Sequence, residues 1–347
     1  MATKGKAPSE GAARRNGVKS AVNGALEAPL GRHTQSGTSR HPDGHKQVAE
    51  LQRARMLTAM VQEISERGAA NVSVAHVVGR SGVSRRTFYE IFEDREDCFL
   101  AAFDEALKHV AAAVLPAYGA HSGWRERTRA GLTALLESLE CDPKTARLLV
   151  VESLAAGPRA LERRQNVLAK IIPLIGQGQR EGKTTIDPPA LTAEGVVGGV
   201  LSVLHARLTE DRSCSLIDLT GPLMGMIVLP YLGPVAARKE IERPVPKMTA
   251  QRPGVRVDPL QDLPMRFTYR TMRVLVSVAE RPGASNRAIG ESAGIGDQGQ
   301  ASKLLARLHR LGLIENQGGD PTRGEPNAWT LTVTGREVHD SIAGLGR

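Results

Sequence analysis

Aromatic side chains are scarce in this chain of 347 residues, in which phenylalanine, tryptophan and tyrosine together make up 3%. Hydrophobic residues still reach 41%, so the cores must be built mainly from alanine, leucine and valine. Cysteine is also rare, and the three cysteines, Cys98, Cys141 and Cys214, do not have the spacing of metal ligands. These features argue against a disulfide scaffold or a zinc site and predict a reducing, cytoplasmic location. We expect neither a cofactor nor a metal ion.

The sequence also lacks a secretory signal and an uninterrupted membrane span. Residues 1–46 contain no apolar segment of the kind that a signal peptide needs. One uncharged stretch, residues 219–237, approaches membrane length, but prolines interrupt it at positions 222, 230 and 234. We therefore expect a buried interface helix in this region and no membrane partner.

Positive charge is concentrated at the two ends of the chain, whose net charge is +9. Residues 1–46 contain 8 Lys or Arg and 3 Asp or Glu, and residues 263–347 contain 11 and 8. Residues 93–235 contain 15 and 18, which makes the middle slightly acidic. An acidic partner such as nucleic acid would therefore bind near the ends. Charge alone is equally consistent with simple solvation of the ends.

Composition and periodicity divide the chain into five segments. Residues 1–46 are rich in Gly, Ser, Ala and Arg without an apolar period, which predicts a disordered basic arm. Helical patterns fill residues 47–93 and 94–235, and the prolines of residues 236–262 indicate a semi-rigid linker. Residues 263–347 add three helices, two short alternating strands and a last helix. The predicted fold class is therefore all-α domains followed by a small α+β domain.

The first group of candidate binding residues lies in residues 47–93. Apolar residues at 57, 60, 61 and 64 form one face of a helix. Ser73 can cap a second short helix, Gly82 supplies a turn with positive φ, and Ser84 can cap a third helix over residues 84–91. The third helix opens with small and basic side chains, which is what a helix-turn-helix needs in order to enter a major groove.

The side chains at the start of that third helix are suited to DNA. Arg85 and Arg86 can bind guanine or phosphate, and Thr87 can meet a thymine methyl group. The hydroxyl groups of Ser73 and Ser84 lie where helix dipoles favour phosphate. The structural alternative for the two arginines is a solvated helix face.

This motif resembles the amino-terminal domain of the TetR family of bacterial transcriptional regulators. The matching residues are Gly68, Ser73-Val74, Gly82-Val83-Ser84, Phe88-Tyr89, Phe92, Arg95-Glu96-Asp97 and Phe99. The resemblance implies that Tyr89 and Arg95 contact the DNA backbone while Arg85, Arg86 and Thr87 face the bases. It also implies that residues 94–235 form a TetR-like ligand-binding and dimerisation domain of about six helices.

The resemblance further implies where partners bind in that helical domain. Helices near residues 191–208 and 215–232 would form a four-helix bundle with those of a second copy, in which glycines at 195, 198, 199 and 225 allow close approach. Packing of these glycines within one chain is the alternative. A pocket for an unknown small-molecule effector would be lined by Leu115, Trp124, Leu148 and Leu168.

A second group of candidate binding residues lies in residues 263–347. Its helices, the Gly294–Gly296 turn and the strand pair make a winged helix, which resembles the MarR-like group of regulators. The resemblance implies groove contacts by Gln298, Gln300, Ser302, Lys303 and Arg307, and a wing contact by Arg323. Winged helices also act as dimerisation or protein-docking modules, so this alternative stays open.

The predicted function is that of a cytoplasmic, homodimeric transcriptional regulator, a repressor that binds a palindromic operator in double-stranded DNA and responds to a ligand. The alternative is a regulator or scaffold whose carboxy-terminal winged helix docks a protein partner. An enzyme is not expected. The sequence Gly290-Glu291-Ser292-Ala293-Gly294 matches a hydrolase nucleophile elbow, but it lies inside a predicted short helix and no large parallel sheet accompanies it.

Overall fold

The fold is described from a computed structural model of the chain. The structure describes residues 42–181, 188–210, 215–245, 269–318 and 326–344. Most of the predicted basic arm, most of the predicted linker, Cys214 and Arg323 lie outside the described residues.

The described residues form α-helices and one small antiparallel sheet. The first helices are α1 (Pro42–Arg67), α2 (Val74–Ser81), α3 (Arg85–Ile91), α4 (Arg95–Gly119), α5 (Trp124–Cys141), α6 (Pro143–Val150), α7 (Pro158–Gly176), α8 (Thr192–Thr209) and α9 (Thr220–Glu242). The remaining elements are α10 (Tyr269–Glu280), α11 (Asn286–Ser292), α12 (Gln298–Arg310), β1 (Ile314–Asn316), β2 (Trp329–Leu331) and α13 (Val333–Gly344). In the sheet, Glu315 pairs with Thr330. The predicted mostly helical architecture with a short strand pair near the end is confirmed.

Two compact units divide the chain. Unit 1 contains Met60–Val72 and the described residues from 96 to 245, and unit 2 contains the described residues up to 59, Ser73–Arg95 and the described residues from 269 onwards. Helix α1 therefore belongs to unit 2 up to Ala59 and to unit 1 from Met60 onwards.

The core of unit 1 is aliphatic, as the composition predicts. Leu136 and Leu139 of α5, Leu204 of α8 and Met224 of α9 are almost completely buried in one cluster. Helices α4 to α9 account for the six helices that periodicity indicates in the middle region. Because these helices present aliphatic side chains to each other, burial of apolar surface is the main source of their stability.

Helix α9 is longer than expected and contains a sharp break. Gly233 has φ 79° and ψ 178°, a conformation that favours glycine, and Pro234 then begins a second helical segment that ends at Glu242. The prediction that residues 236–242 belong to an extended linker is therefore wrong. The stretch Ile217–Glu242 is long and apolar enough to cross a membrane by length and composition, and 44% of its apolar window is buried.

The segment after the break folds back onto the start of α9. A Cβ atom added to Gly225 would lie 2.6 Å from Cγ1 of Ile241. The close approach at Gly225 is thus made within the chain, and the expectation that it serves a second copy is corrected. Gly195 and Gly198 of α8, by contrast, have open space around them.

A buried ion pair holds the folded-back segment against α5. Arg129 donates through Nη1 to Oε2 of Glu240 at 2.7 Å, and both side chains are buried. Arg129 also donates through Nη2 to the carbonyl oxygens of Arg243 and Pro244. Nearby, Nη1 of Arg243 lies 2.8 Å from Oε1 of Glu126. Charged residues in the segment predicted to be a linker therefore bind it to the helical core.

Within unit 2, α10 to α13 and the sheet share a core with the first half of α1. Leu51 of α1 is buried in the same cluster as Met272 and Leu275 of α10. Thr271 and Ser277 of α10 are also buried. Two sequence predictions need correction here. Residues 42–46 belong to α1 and not to a disordered arm, and the carboxy-terminal elements, which the sequence predicts only as tethered, are packed against α1.

Candidate nucleic-acid interface and ligand cavity

The helix-turn-helix of α2 and α3 forms with the caps that the sequence predicts. The hydroxyl group of Ser73 accepts a hydrogen bond from the backbone N–H of His76, and Nδ1 of His76 accepts one from the N–H of Ser73. Gly82 ends α2 with φ 65°, and the hydroxyl group of Ser84 accepts from the N–H of Thr87 at the start of α3. These caps fix both helix starts, so the predicted caps and turn are confirmed.

The leading turn of α3 presents two arginines to solvent. Arg85 and Arg86 are both exposed. Arg86 pairs with Glu90 one turn later, Nε to Oε1, at 2.9 Å. Thr87 is half-buried, and its Oγ1 lies 2.8 Å from Oγ of Ser84. Of the residues predicted to face bases, Arg85 and Arg86 are exposed, whereas Thr87 takes part in the cap.

The residues predicted to contact the DNA backbone lie within α3 and at the start of α4. Tyr89 is 52% exposed although its ring contacts that of the buried Phe88 edge to face, with centroids 5.4 Å apart. Arg95 is half-buried at the start of α4. On the inner side of α3, the guanidinium of Arg53 from α1 lies over the ring of Phe92, 5.9 Å from its centroid. The phenol of Tyr89 is thus exposed, while one edge of its ring packs against the buried ring of Phe88.

The residues predicted to read DNA in the second module differ in their exposure and in their hydrogen bonds. Gln298, Gln300, Lys303 and Arg307 are exposed on α12. Oε1 of Gln300 accepts a hydrogen bond from Nη1 of Arg270 at 3.0 Å. Ser302 departs from the prediction of an outward-facing residue, because it is half-buried and its hydroxyl accepts from Asn286. The predicted wing residue Arg323 lies outside the described residues.

Asn286 connects three elements of the second module, a role that sequence reasoning missed. Its Nδ2 donates to Oγ of Ser302, and its Oδ1 accepts from Nε1 of Trp329 at 2.6 Å and from Nδ2 of Asn327 at 3.1 Å. An asparagine just after a Ser cap gave no sign of this, because the partners are distant in sequence.

A cavity of about 260 Å³ opens among the helices of unit 1. Helix α4 contributes Leu115, α5 contributes Leu132, α7 contributes Leu168 and α8 contributes Val200. Tyr118 and Thr128 also line it. The cavity has nearly the size of a small-molecule pocket and the apolar lining that such pockets have.

Two of the four predicted pocket residues do not line this cavity. Leu148 is fully buried on α6 and is not among the lining residues. Trp124 is also buried outside the lining, where its Nε1 donates to the carbonyl oxygen of Leu174 and its ring contacts Tyr231. Trp124 belongs to the buried cluster of unit 1, and Leu148 is fully buried, so both are core residues. Leu115 and Leu168 do line it.

The hydroxyl groups of Tyr118 and Thr128 are buried without a hydrogen-bond partner among the described residues. Burial is the main cause that raises the pKa of Tyr118, while the nearby Arg127 lowers it and Glu181 raises it. The phenol therefore remains protonated at neutral pH and can donate a hydrogen bond. The guanidinium of Arg127 lies over the Tyr118 ring, 4.3 Å from its centroid.

A carboxylate connects the middle of unit 1 to the loop that precedes α2. Oε2 of Glu152 accepts a hydrogen bond from the backbone N–H of Ala69 at 2.8 Å, and its Oε1 pairs with Nη2 of Arg147 at 3.2 Å. Nη1 of Arg147 donates to the carbonyl oxygen of Leu208 in the last turn of α8. Since α8 also lines the cavity, a chain of polar contacts runs from a cavity helix to a residue four positions before Ser73.

The described residues contain no group of three or more His, Cys, Asp or Glu side chains that could hold a metal ion. Ser292 of the elbow-like sequence is the last residue of helix α11, and its carbonyl oxygen accepts from Arg273. The elements next to it in the described chain are α10 and α12, so the strand that precedes a nucleophile elbow is not found there.

Comparisons with known proteins give one match in sequence and several distant matches in structure. Residues 56–102 match the sequence model of bacterial regulatory proteins of the tetR family. The search of curated proteins found no match. The fatty acid degradation regulator FadR from Bacillus halodurans aligns with 18% identity and a TM-score of 0.45 over 55% of this chain and 97% of that chain.

Two further solved structures show similar coverage. FadR from Bacillus subtilis in complex with stearoyl-CoA aligns with 16% identity and a TM-score of 0.44, over 50% of this chain and 97% of that chain. RolR in complex with resorcinol aligns with 20% identity and a TM-score of 0.42, over 58% and 98%. Together, the sequence match and the capped α2–turn–α3 geometry show that residues 56–102 form a DNA-binding helix-turn-helix domain of the tetR family of bacterial transcriptional regulators.

Proposed function

We propose that the chain is a cytoplasmic, ligand-responsive regulator of transcription that binds double-stranded DNA through α3 and has no catalytic activity. The observation that carries this proposal is the exposed Arg85 at the capped start of α3, within the region that matches tetR-family regulators. The arginine is the side chain that most often reads guanine in a major groove. The proposal is also supported by Arg86, Thr87 and Tyr89. The cap at Ser84 positions Thr87, and the contact with Phe88 positions Tyr89.

The response to a ligand is supported by the cavity and by the polar contacts that begin next to it. A molecule that enters among α4, α5, α7 and α8 would displace side chains of α8, whose last turn is bonded to Arg147. Arg147 in turn holds Glu152, which binds the N–H of Ala69 ahead of α2. An effector coupled in this way typically changes the affinity for a second ligand by about 1–3 kcal/mol.

The homodimer and the palindromic operator are supported by the surface of unit 1. Gly195 and Gly198 are exposed on α8 with open space around them, and Leu229 of α9 is an exposed large apolar residue. A second copy seated there could approach the α8 backbone closely. Two copies of α3 would then read two half-sites that are one helical turn apart, roughly 34–36 Å. A repressor would act by occupying such an operator.

The carboxy-terminal module, which we interpret as a winged helix, extends the DNA contact in this proposal. Exposed Gln298, Lys303 and Arg307 lie on α12. Because Leu51 of α1 is buried in the core of this module, α12 belongs to the same compact unit as α3. The second candidate function is docking of a protein partner by this module, and it is favoured by the acidic residues Asp297 and Glu315, which reduce the positive field beside α12.

Selection of bound DNA from a random pool tests the proposal. The full chain should enrich two half-sites of opposite orientation, with added flanking contacts if α12 also binds DNA. Arg85→Ala should reduce the preference for the selected sequence, whereas Arg287→Ala, which changes an exposed arginine of α11 paired with Glu291, should not. If the full chain enriched no sequence and bound all DNA weakly, the protein-docking function would replace this one.

A further inference from the structure

We propose that the cavity of unit 1 binds a small amphiphile, an apolar body of about a dozen non-hydrogen atoms that ends in one oxygen acceptor such as a carbonyl or a carboxylate. This inference rests on the ligand response proposed above and adds the chemistry of the ligand. Its three elements are the lining of the cavity, its volume and a group of buried donors at the corner between α4 and α5.

The lining selects an apolar body. Leucine, valine and isoleucine side chains from α4, α5, α7, α8 and α9 surround the space. Among the described lining residues, Lys170 alone carries a charge. A strongly hydrated molecule would lose its water without compensation along such a wall. An aliphatic chain or a small ring system fits it.

The volume limits the length of that body. A cavity of about 260 Å³ lies just below the range of roughly 300–1,000 Å³ that small-molecule pockets have, so it favours a compact ligand. A molecule of about a dozen non-hydrogen atoms fills this space. Longer chains would have to extend through the α7 side, where Leu168 is half-buried and Ile171 is exposed.

The corner between α4 and α5 supplies the polar end of the site. Tyr118 lies in the last turn of α4 and Thr128 in the second turn of α5, and both line the cavity. The ring of Tyr118 packs on Gly131, where an added Cβ would lie 3.2 Å from Cδ2. Since Gly131 is three residues after Thr128 on the same helix, the two hydroxyl-bearing side chains are neighbours at one end of the cavity.

The donors at this corner have no acceptor. The hydroxyl oxygens of Tyr118 and Thr128 and Nε of Arg127 are all buried without a hydrogen-bond partner among the described residues. An unsatisfied buried polar group costs on the order of 1–3 kcal/mol, so three neighbouring ones call for an explanation. The guanidinium of Arg127 over the Tyr118 ring adds positive charge. In this conformation the wall of the cavity is apolar, because the hydroxyl groups of Tyr118 and Thr128 are covered and Arg127 lies outside the lining. Rotation of the Tyr118 and Thr128 side chains would turn their hydroxyl groups into the cavity, where an oxygen acceptor is the chemical group that complements them.

Three probes of equal size test this assignment on the full chain: decanoic acid, 2-undecanone and dodecane. Binding is measured by titration calorimetry and thermal shift for the wild type, Tyr118→Phe and Thr128→Val. Each substitution should weaken binding of the acid and the ketone about three- to tenfold, as expected for one hydrogen bond, and should leave dodecane unchanged. Comparison of the acid with the ketone distinguishes a carboxylate from a neutral carbonyl.

Two controls separate a ligand contact from a structural role. Tyr231→Phe removes a buried phenol that does not line the cavity and should not alter binding of any probe. Tyr118→Phe should leave the melting temperature of the ligand-free protein unchanged or higher, because it removes an unsatisfied hydroxyl. A marked loss of stability in the ligand-free protein would show that the hydroxyl has a structural partner.

The outcomes distinguish this inference from the proposed function. If all three probes bind and Tyr118→Phe affects none of them, the polar end is wrong, although a ligand response measured as altered DNA affinity can still hold. If the acid or ketone binds with the predicted dependence but DNA affinity does not change, the site stands and the regulatory coupling is wrong. If no probe binds the wild type, the assignment of this ligand class is overturned, and DNA binding by α3 is unaffected.

Discussion

Removal of the Glu152 carboxylate should release the loop that precedes the helix-turn-helix. Oε2 of Glu152 accepts the hydrogen bond of the Ala69 N–H at 2.8 Å, and the side chain of Glu152 is 9% exposed. A hydrogen bond to a charged group contributes about 1.5–3 kcal/mol. The pair with Arg147 is partly exposed, so it adds at most about 1 kcal/mol. Glu152→Ala should therefore lower the free energy of unfolding of unit 1 by about 2–3 kcal/mol.

Hydrogen exchange at the Ala69 amide and denaturant titration together measure this effect. Arg147→Met is the control, because it removes the ion pair and the hydrogen bond to the Leu208 carbonyl but leaves the Ala69 hydrogen bond in place. Whatever stability it costs, it should leave the Ala69 amide protected. If Glu152→Ala left that amide as protected as in the wild type, the account of Glu152 as the anchor of this loop would be refuted.

Two further predictions concern the other packed segments. The Arg243 guanidinium donates to Glu126 and holds the pKa of that carboxyl below its ordinary value of 4.5. The ionised carboxylate therefore stabilises the fold near neutral pH. This contribution is lost as the pH falls through the lowered pKa. In a series of thermal denaturations, the stability difference between the wild type and Glu126→Gln should be constant near neutral pH and disappear on acidification. A difference that grew on acidification would contradict the assignment. Leu51→Ala should lower the free energy of unfolding of unit 2 by about 2–5 kcal/mol and reduce the hydrogen-exchange protection of α10. Glu50→Ala, which changes an exposed neighbour, should alter neither. Equal protection of α10 in both variants would contradict the shared core.

Local signals predicted the local structure well. The caps at Ser73 and Ser84 and the turn at Gly82 were predictable because each depends on residues within four positions along the chain. The short strand pair followed from the alternation around Trp329 for the same reason. In such segments the physical cause of the structure is contained in a short stretch of sequence.

Contacts between distant residues could not be predicted in this way. The prolines and charges of residues 236–245 are typical of a linker, but Arg129, more than a hundred residues earlier, binds Glu240 and holds part of that segment in a helix. Leu148 and Trp124 have the apolar character of pocket residues, but both are buried in the core, and Trp124 contacts Tyr231, which lies more than a hundred residues later. The burial of Leu51 in the core of unit 2 could not be predicted either, because its partners lie more than two hundred residues later.

The most direct test of the central claim is the affinity of the full chain for its selected DNA and for random DNA, measured over a range of salt concentrations. For a DNA-binding regulator the logarithm of the association constant should fall linearly with the logarithm of the salt concentration. Arg85→Ala should reduce the difference in binding free energy between selected and random DNA by about 1–3 kcal/mol. A weak affinity that does not depend on salt, with no difference between the wild type and Arg85→Ala, would contradict the assignment of α3 as the DNA-reading helix.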